Sequence, residues 1–201
     1  EARVEKVQNL HRPVYHCLCG MLEAVIMAGS AKEAMADSAH QFTNAQTLVP
    51  ESIDMIVFDF DGVFTDNKVF VSQEGSESVV CDRGDGLGLD MLKAAGIPMM
   101  ILSTETNNVV QARAGKLKIE ARTGSRDKAQ DLAQLAKEKC IDLQNIIYLG
   151  NDLNDIEAMK LVGFPISPSN GHPRVKEICK FVLSRPGGNG AIRELCELVL
   201  K

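Results

Sequence analysis

Met55-Ile56-Val57-Phe58-Asp59-Phe60-Asp61-Gly62 sets four apolar residues directly before two carboxylates, two positions apart, and a glycine. Four consecutive apolar residues with no polar alternate predict a strand buried on both faces, the habit of parallel sheets covered by helices. Two similar runs follow at Met99–Leu102 and Ile146–Leu149. Amphipathic stretches at about 87–95, 106–117, 126–140, 153–162 and 190–200 lie between or after them. From Ile53 onward this alternation predicts an α/β fold, a Rossmann-like doubly wound parallel sheet.

In such sheets ligands bind beyond the carboxyl ends of the strands, so the residues that follow each apolar run carry the functional question. They are Asp59 and Asp61, then Ser103-Thr104-Glu105, then Gly150-Asn151-Asp152. Two carboxylates aimed at one small volume repel each other unless a cation neutralises them, and hard oxygens of this kind suit Mg²⁺. Phosphoryl transfer uses the same pair: one carboxylate attacks, the other protonates the leaving oxygen. The plainer alternative is a helix-capping Asp beside a surface Asp. Ser103 and its neighbours can cradle a phosphate oxygen at a strand end, or simply cap the next helix. Lys128 opens a predicted helix, where a cation is electrostatically misplaced unless it meets an anion. Lys68–Ser72 and Ser78–Asp82 are β-prone around the turn-like Gln73-Glu74-Gly75-Ser76. They predict a hairpin emerging where a flap over the site would stand.

The 201 residues carry a net charge of −5 with no basic stripe, which argues against a nucleic-acid partner. An anionic substrate would therefore depend on local cations or a metal. Four of the six cysteines, Cys81, Cys140, Cys179 and Cys196, sit alone in apolar stretches and read as buried free thiols of a reducing compartment. Cys17 and Cys19 lie near His11 and His16 at a spacing unlike that of a zinc knuckle. Residues 1–50 have a different texture and predict a helical appendage with Leu18, Met21, Leu22, Val25 and Ile26 on one face. Leu48-Val49-Pro50 reads as a linker to a second unit, 51–201. The most apolar run, Cys17–Ala28, contains Glu23 and is too short to span a bilayer. The mixed charge of the first residues does not read as a signal peptide, so the expectation is a cytoplasmic protein. A start at Glu1 is the start expected of a processed product or of a piece of a longer protein.

DFDGVFTDN (59–67), ILSTE (101–105), RDK (126–128) and GNDLNDIEAM (150–159) resemble, in this order, the four motifs of the haloacid dehalogenase superfamily. The likeness is greatest to its capless branch, which contains 3-deoxy-D-manno-octulosonate 8-phosphate phosphatase and the phosphatase-like domain fused to CMP-N-acylneuraminate synthetases. DGLGL (85–89), NGHP (170–173) and GGNGAIRE (187–194) are similar to further motifs of that branch. The resemblance implies Asp59 as nucleophile, Asp61 as general acid/base, and Lys128 as the lysine that stabilises a phosphoaspartate. It implies phosphate binding by Ser103, Thr104 and Lys128, and substrate binding by Arg83 and Arg193. For Mg²⁺ it implies Asp59, Asp61 and Asn151 or Asp152. It further implies a phosphorylated sugar acid as substrate and a homotetramer in which a neighbour's hairpin caps each site. A second implied role is a weak or inactive domain that oligomerises a cytidylyltransferase. Two residues depart from the branch pattern. Asn151 stands where an aspartate is usual, leaving Asp152 or Asp155 to supply charge, and Asn189 stands where an arginine is frequent.

Overall fold

The computed structural model describes residue 50 and residues 52–201. The expected helical segment 1–50, with its apolar stripe and Cys17 and Cys19, lies almost wholly outside the described residues. The described residues form eight strands and six α-helices, with two short 3-10 turns. The strands are β1 (Met55–Phe58), β2 (Phe70–Val71), β3 (Glu77–Ser78), β4 (Met99–Leu102), β5 (Glu120–Arg122), β6 (Ile146–Leu149), β7 (Phe164–Ser167) and β8 (Phe181–Val182). The helices are α1 (Arg83–Ala94), α2 (Asn108–Leu117), α3 (Lys128–Lys139), α4 (Ile156–Leu161), α5 (Pro173–Lys176) and α6 (Ala191–Val199).

Six strands form one parallel sheet in the order β5-β4-β1-β6-β7-β8. The three apolar runs are its three central strands, and every residue in them is buried. Their side chains alternate between two cores, as the period of two in a strand requires. Ile56, Phe58, Ile101, Ile147 and Leu149 pack with Leu89, Leu92, Val110, Ile192 and Leu195 from α1, α2 and α6. Met55, Val57, Met100, Leu102, Ile146 and Tyr148 pack with Leu132, Leu135, Met159 and Val175 from α3, α4 and α5. Helices therefore cover both faces, which is the doubly wound arrangement.

The hairpin is present as an antiparallel pair with Phe70 opposite Ser78 and Val71 opposite Glu77. Its ladder is much shorter than the β-prone flanks, and Thr65 pairs with Cys81 at its base. One expectation is corrected: Cys140 is exposed, because it terminates α3 in the left-handed conformation (φ 55°). Cys196 is buried, while Cys81 and Cys179 are half-buried. Among the described residues no helix is long and apolar enough to cross a membrane.

Candidate active site

β1 ends at Phe58, and the next residue begins the site. The Asp59 N–H donates to the Leu149 carbonyl at 3.0 Å, which holds the ends of β1 and β6 together. The chain then turns sharply through Gly62 (φ 79°), a conformation that favours glycine. A side chain there would also run into the Asn151 amide. Thr65, fully buried, pins the turn: its Oγ1 accepts the N–H groups of Gly62 (3.1 Å) and Asn67 (3.2 Å). Phe64 closes it from below, stacked on Phe60 with centroids 5.5 Å apart and edge-on to Phe58 at 5.7 Å.

Lys128, the first residue of α3, is buried between two carboxylates. Its Nζ donates to Asp59 Oδ1 at 2.6 Å and to Asp155 Oδ1 at 2.8 Å. The apparent misplacement of a cation at a helix start is thereby resolved, since this lysine neutralises anions gathered from β1 and β6. Asp155 is fully occupied. Its Oδ1 also accepts the Tyr148 hydroxyl (3.0 Å), and its Oδ2 accepts the N–H groups of Asn151 (2.9 Å) and Asp152 (3.2 Å). It therefore orients Lys128 and the turn, and it does not line the cavity. Only the turn-holding part of this role had a local signal, the Asp152-x-x-Asp155 spacing, which forms a capping box here.

A cavity of about 520 Å³ opens beyond these residues, lined by Asp59, Asp61, Thr104, Asn151 and Asp152, and by Lys68, Val69, Glu77 and Val79 of the hairpin region. Ser103 is buried one residue behind Thr104, and its Oγ accepts the Glu105 N–H at 3.1 Å. Arg83 and Arg193 do not line this cavity. Arg83 is exposed at the start of α1, and the Arg193 guanidinium is paired with Glu197 at 2.6 Å. Within one chain, then, the structure does not bring the two expected substrate arginines to the site. Glu105, which closes the ILSTE segment, lines it, and so does Glu77, which carried no functional signal in the sequence.

The electrostatics follow from this crowding. Burial, then the charge of Asp155, push the Asp59 carboxyl up to about 7, against the pull of Lys128. Burial raises Asp61 as well, reinforced by Glu105 and Glu77 and opposed by Lys128 and the Thr65 hydroxyl. One lysine does not balance so many carboxylates, and the deficit marks a place for a further cation. Asn151 supplies the second sign: its Oδ1 is buried without a hydrogen-bond partner. Among the described residues no three His, Cys, Asp or Glu side chains converge as a metal cage. A fitting donor set instead combines the Asp59 carboxylate, the Asn151 amide oxygen and an oxygen of Asp61, all hard ligands of the kind Mg²⁺ takes. Asp152 borders the cavity too, but its Oδ1 caps the next turn, accepting the Leu153 N–H at 2.7 Å.

The model of the haloacid dehalogenase-like hydrolases matches residues 91–195. A Streptomyces avermitilis protein assigned to the HAD hydrolases is 44% identical, with a TM-score of 0.74 over 76% of this chain and 88% of that one. The 3-deoxy-D-manno-octulosonate 8-phosphate phosphatase of Moraxella catarrhalis was solved with magnesium, phosphate and the sugar acid. It is 34% identical, with a TM-score of 0.72 over 80% of this chain and 90% of that one. The N-acylneuraminate cytidylyltransferase of Oncorhynchus mykiss is 26% identical over 123 residues, and the matched part is 59% of this chain but only 28% of that protein. The matched model spans more than half of this chain, and the Streptomyces protein is similar over most of it: this chain belongs to the haloacid dehalogenase-like hydrolases.

Proposed function

We propose that this chain is a cytoplasmic, Mg²⁺-dependent phosphatase of phosphorylated 3-deoxy-2-keto sugar acids, an octulosonate 8-phosphate or a nonulosonate 9-phosphate. The observation that carries the reading is the buried Asp59–Lys128–Asp155 cluster at the ends of β1 and β6, open to a cavity beside Asp61. The solved Moraxella relative, with its magnesium, phosphate and sugar acid, supports the substrate class.

In the first step a carboxylate oxygen of Asp59 attacks phosphorus while the bond to the sugar oxygen breaks. Asp61, whose carboxyl is held protonated more readily than usual, gives its proton to the departing alkoxide. Lys128 holds Asp59 in the attacking position and offsets charge on the phosphoryl oxygens, while Thr104 and the backbone after β4 receive them. Asp61, now ionised, takes a proton from water, and the resulting attack on phosphorus releases phosphate and restores Asp59. A metal held by Asp59, Asp61 and Asn151 supplies Lewis-acid neutralisation of the phosphate when bound.

We further propose a tetramer whose hairpins cap neighbouring sites. Val69, Phe70, Val71 and Val80 are all about half exposed or more, beside the cavity mouth, which supports coverage by another copy. The similarity to a cytidylyltransferase over a fraction of its length supports a second reading, in which the domain chiefly assembles a larger enzyme. Phosphate release from both sugar-acid phosphates, with and without Mg²⁺, separates the two. The phosphatase reading expects Mg²⁺-dependent turnover that Asp59→Asn abolishes. A wild type inert on both substrates, or an Asn variant as active as wild type, overturns it.

A further inference from the structure

Among the described residues the catalytic reading leaves one buried carboxyl unused. Asp85, on the first turn of α1, is 1% exposed, and its Oδ1 accepts the Arg193 N–H at 2.9 Å, across 108 residues of sequence. Arg193 is the third residue of α6, a helix that begins at Gly190 (φ 88°) with no side-chain cap of its own. Helix N-termini leave N–H groups in need of acceptors. Asp85 supplies from α1 the acceptor that Gly190 cannot. Around it stand Arg113 of α2, Arg185 ahead of α6, Asp82 at the start of its own helix, and the Cys81 and Cys196 thiols. Its second oxygen, like Arg113 Nε, is buried without a partner.

What α6 holds in place is the catalytic turn. The Gly188 N–H donates to the Val63 carbonyl at 2.9 Å, and a side chain on Gly187 would overlap the Gly62 carbonyl. A side chain on Gly188 would strike the backbone of Thr65 and Asp66. The same loop is tied on its other side, where Asn170 Oδ1 accepts the Gly187 N–H (2.9 Å). Glu194 of α6 accepts the N–H groups of Ser184 (2.9 Å) and Arg185 (2.8 Å). α1 and α6 touch closely, since a Cβ at Gly88 would stand 3.0 Å from Cys196 Sγ.

We propose that Asp85 is a positioning residue for phosphoryl transfer: by capping α6 it fixes the Gly187–Gly188 backbone against the turn that carries Asp61. The effect on turnover rests on the phosphatase reading, while the effect on the turn does not. The full chain is compared as wild type, Asp85→Ala and Asp85→Asn, by hydrogen-exchange mass spectrometry and by Mg²⁺-dependent hydrolysis of p-nitrophenyl phosphate. In the Ala variant, exchange at 60–67 and 187–190 should accelerate about tenfold while 99–102 and 146–149 stay as in wild type. Its kcat should fall about tenfold with KM within about twofold, the cost of a displaced catalytic group. The Asn variant keeps an oxygen acceptor and should recover most of both. Unchanged exchange at 60–67, acceleration spread evenly over the chain, or equal impairment of Ala and Asn overturns the inference. If the Ala variant does not fold, Asp85→Glu, which displaces the acceptor by one methylene, replaces it under the same criteria. A wild type that hydrolyses nothing refutes the phosphatase reading alone, and hydrogen exchange then decides the positioning role.

Discussion

Lys128 is shared by two carboxylates, Asp59 at 2.6 Å and Asp155 at 2.8 Å, and all three side chains are buried. Breaking such a buried arrangement by removing the lysine alone costs about 3–5 kcal/mol, because the carboxylates stay buried without their cation. Asp59, Asp61 and Lys128 had a local signal, since the two aspartates stand just past an apolar run and the lysine opens a helix, whereas Asn151 was indicated only by the motif resemblance. Asp155 was harder to assign, since its role depends on a lysine 27 positions away that no local pattern indicates. Asn151 gives the first prediction. Asn151→Asp adds a carboxylate where an amide oxygen is orphaned, so the Mg²⁺ titration midpoint of activity should fall roughly tenfold. An unchanged midpoint would transfer the ligand role to Asp152. Asp85 gives the second. Burial raises its carboxyl from the ordinary 3.8 to about 6, so between those pH values the folded chain binds more protons than the unfolded one. Its contribution to stability therefore falls as pH rises from about 4 to about 6 and stays low above. Melting of wild type and Asp85→Asn from pH 4 to 8 should show Tm dropping relative to the variant across that window. A constant difference refutes the assignment.

At the scale of elements, the central strands were legible to the residue because a strand buried on both faces must be apolar throughout. The edges were not. β5 reads Glu120-Ala121-Arg122, polar as a partly exposed edge allows, and β7 contains Pro165, a residue that demotes a strand on sequence grounds. The hairpin was legible from its turn, but its pairing covers only two residues a side because most of it projects into solvent. An apolar flap of this kind predicts association. Val69→Glu combined with Val71→Glu should yield smaller species by light scattering with the fold unchanged by circular dichroism. An undisturbed tetramer, or a wild type already monomeric at micromolar concentration, removes the trans-capping proposal.

For the whole molecule, every residue given a chemical role lies between Asp59 and Asp155, and the sheet is closed on both faces by elements after residue 80. A chain starting at Pro50 should therefore keep kcat near that of the full chain. If the truncated protein folds and assembles yet loses more than about tenfold, ~1.4 kcal/mol of barrier, residues 1–49 belong to the site. The position of β1 has a consequence for how the fold is reached. It lies in the middle of the sheet but precedes both of its partners, and Asp54 beside it bonds to Asn145 across 91 residues. Contacts so distant in sequence make closure slow, and until β6 is available the MIVF run has one edge open. Refolding from denaturant should thus show helices early and the Asp59–Lys128 pair late, with the strand most deeply enclosed in the finished protein the one longest exposed to aggregation on the way.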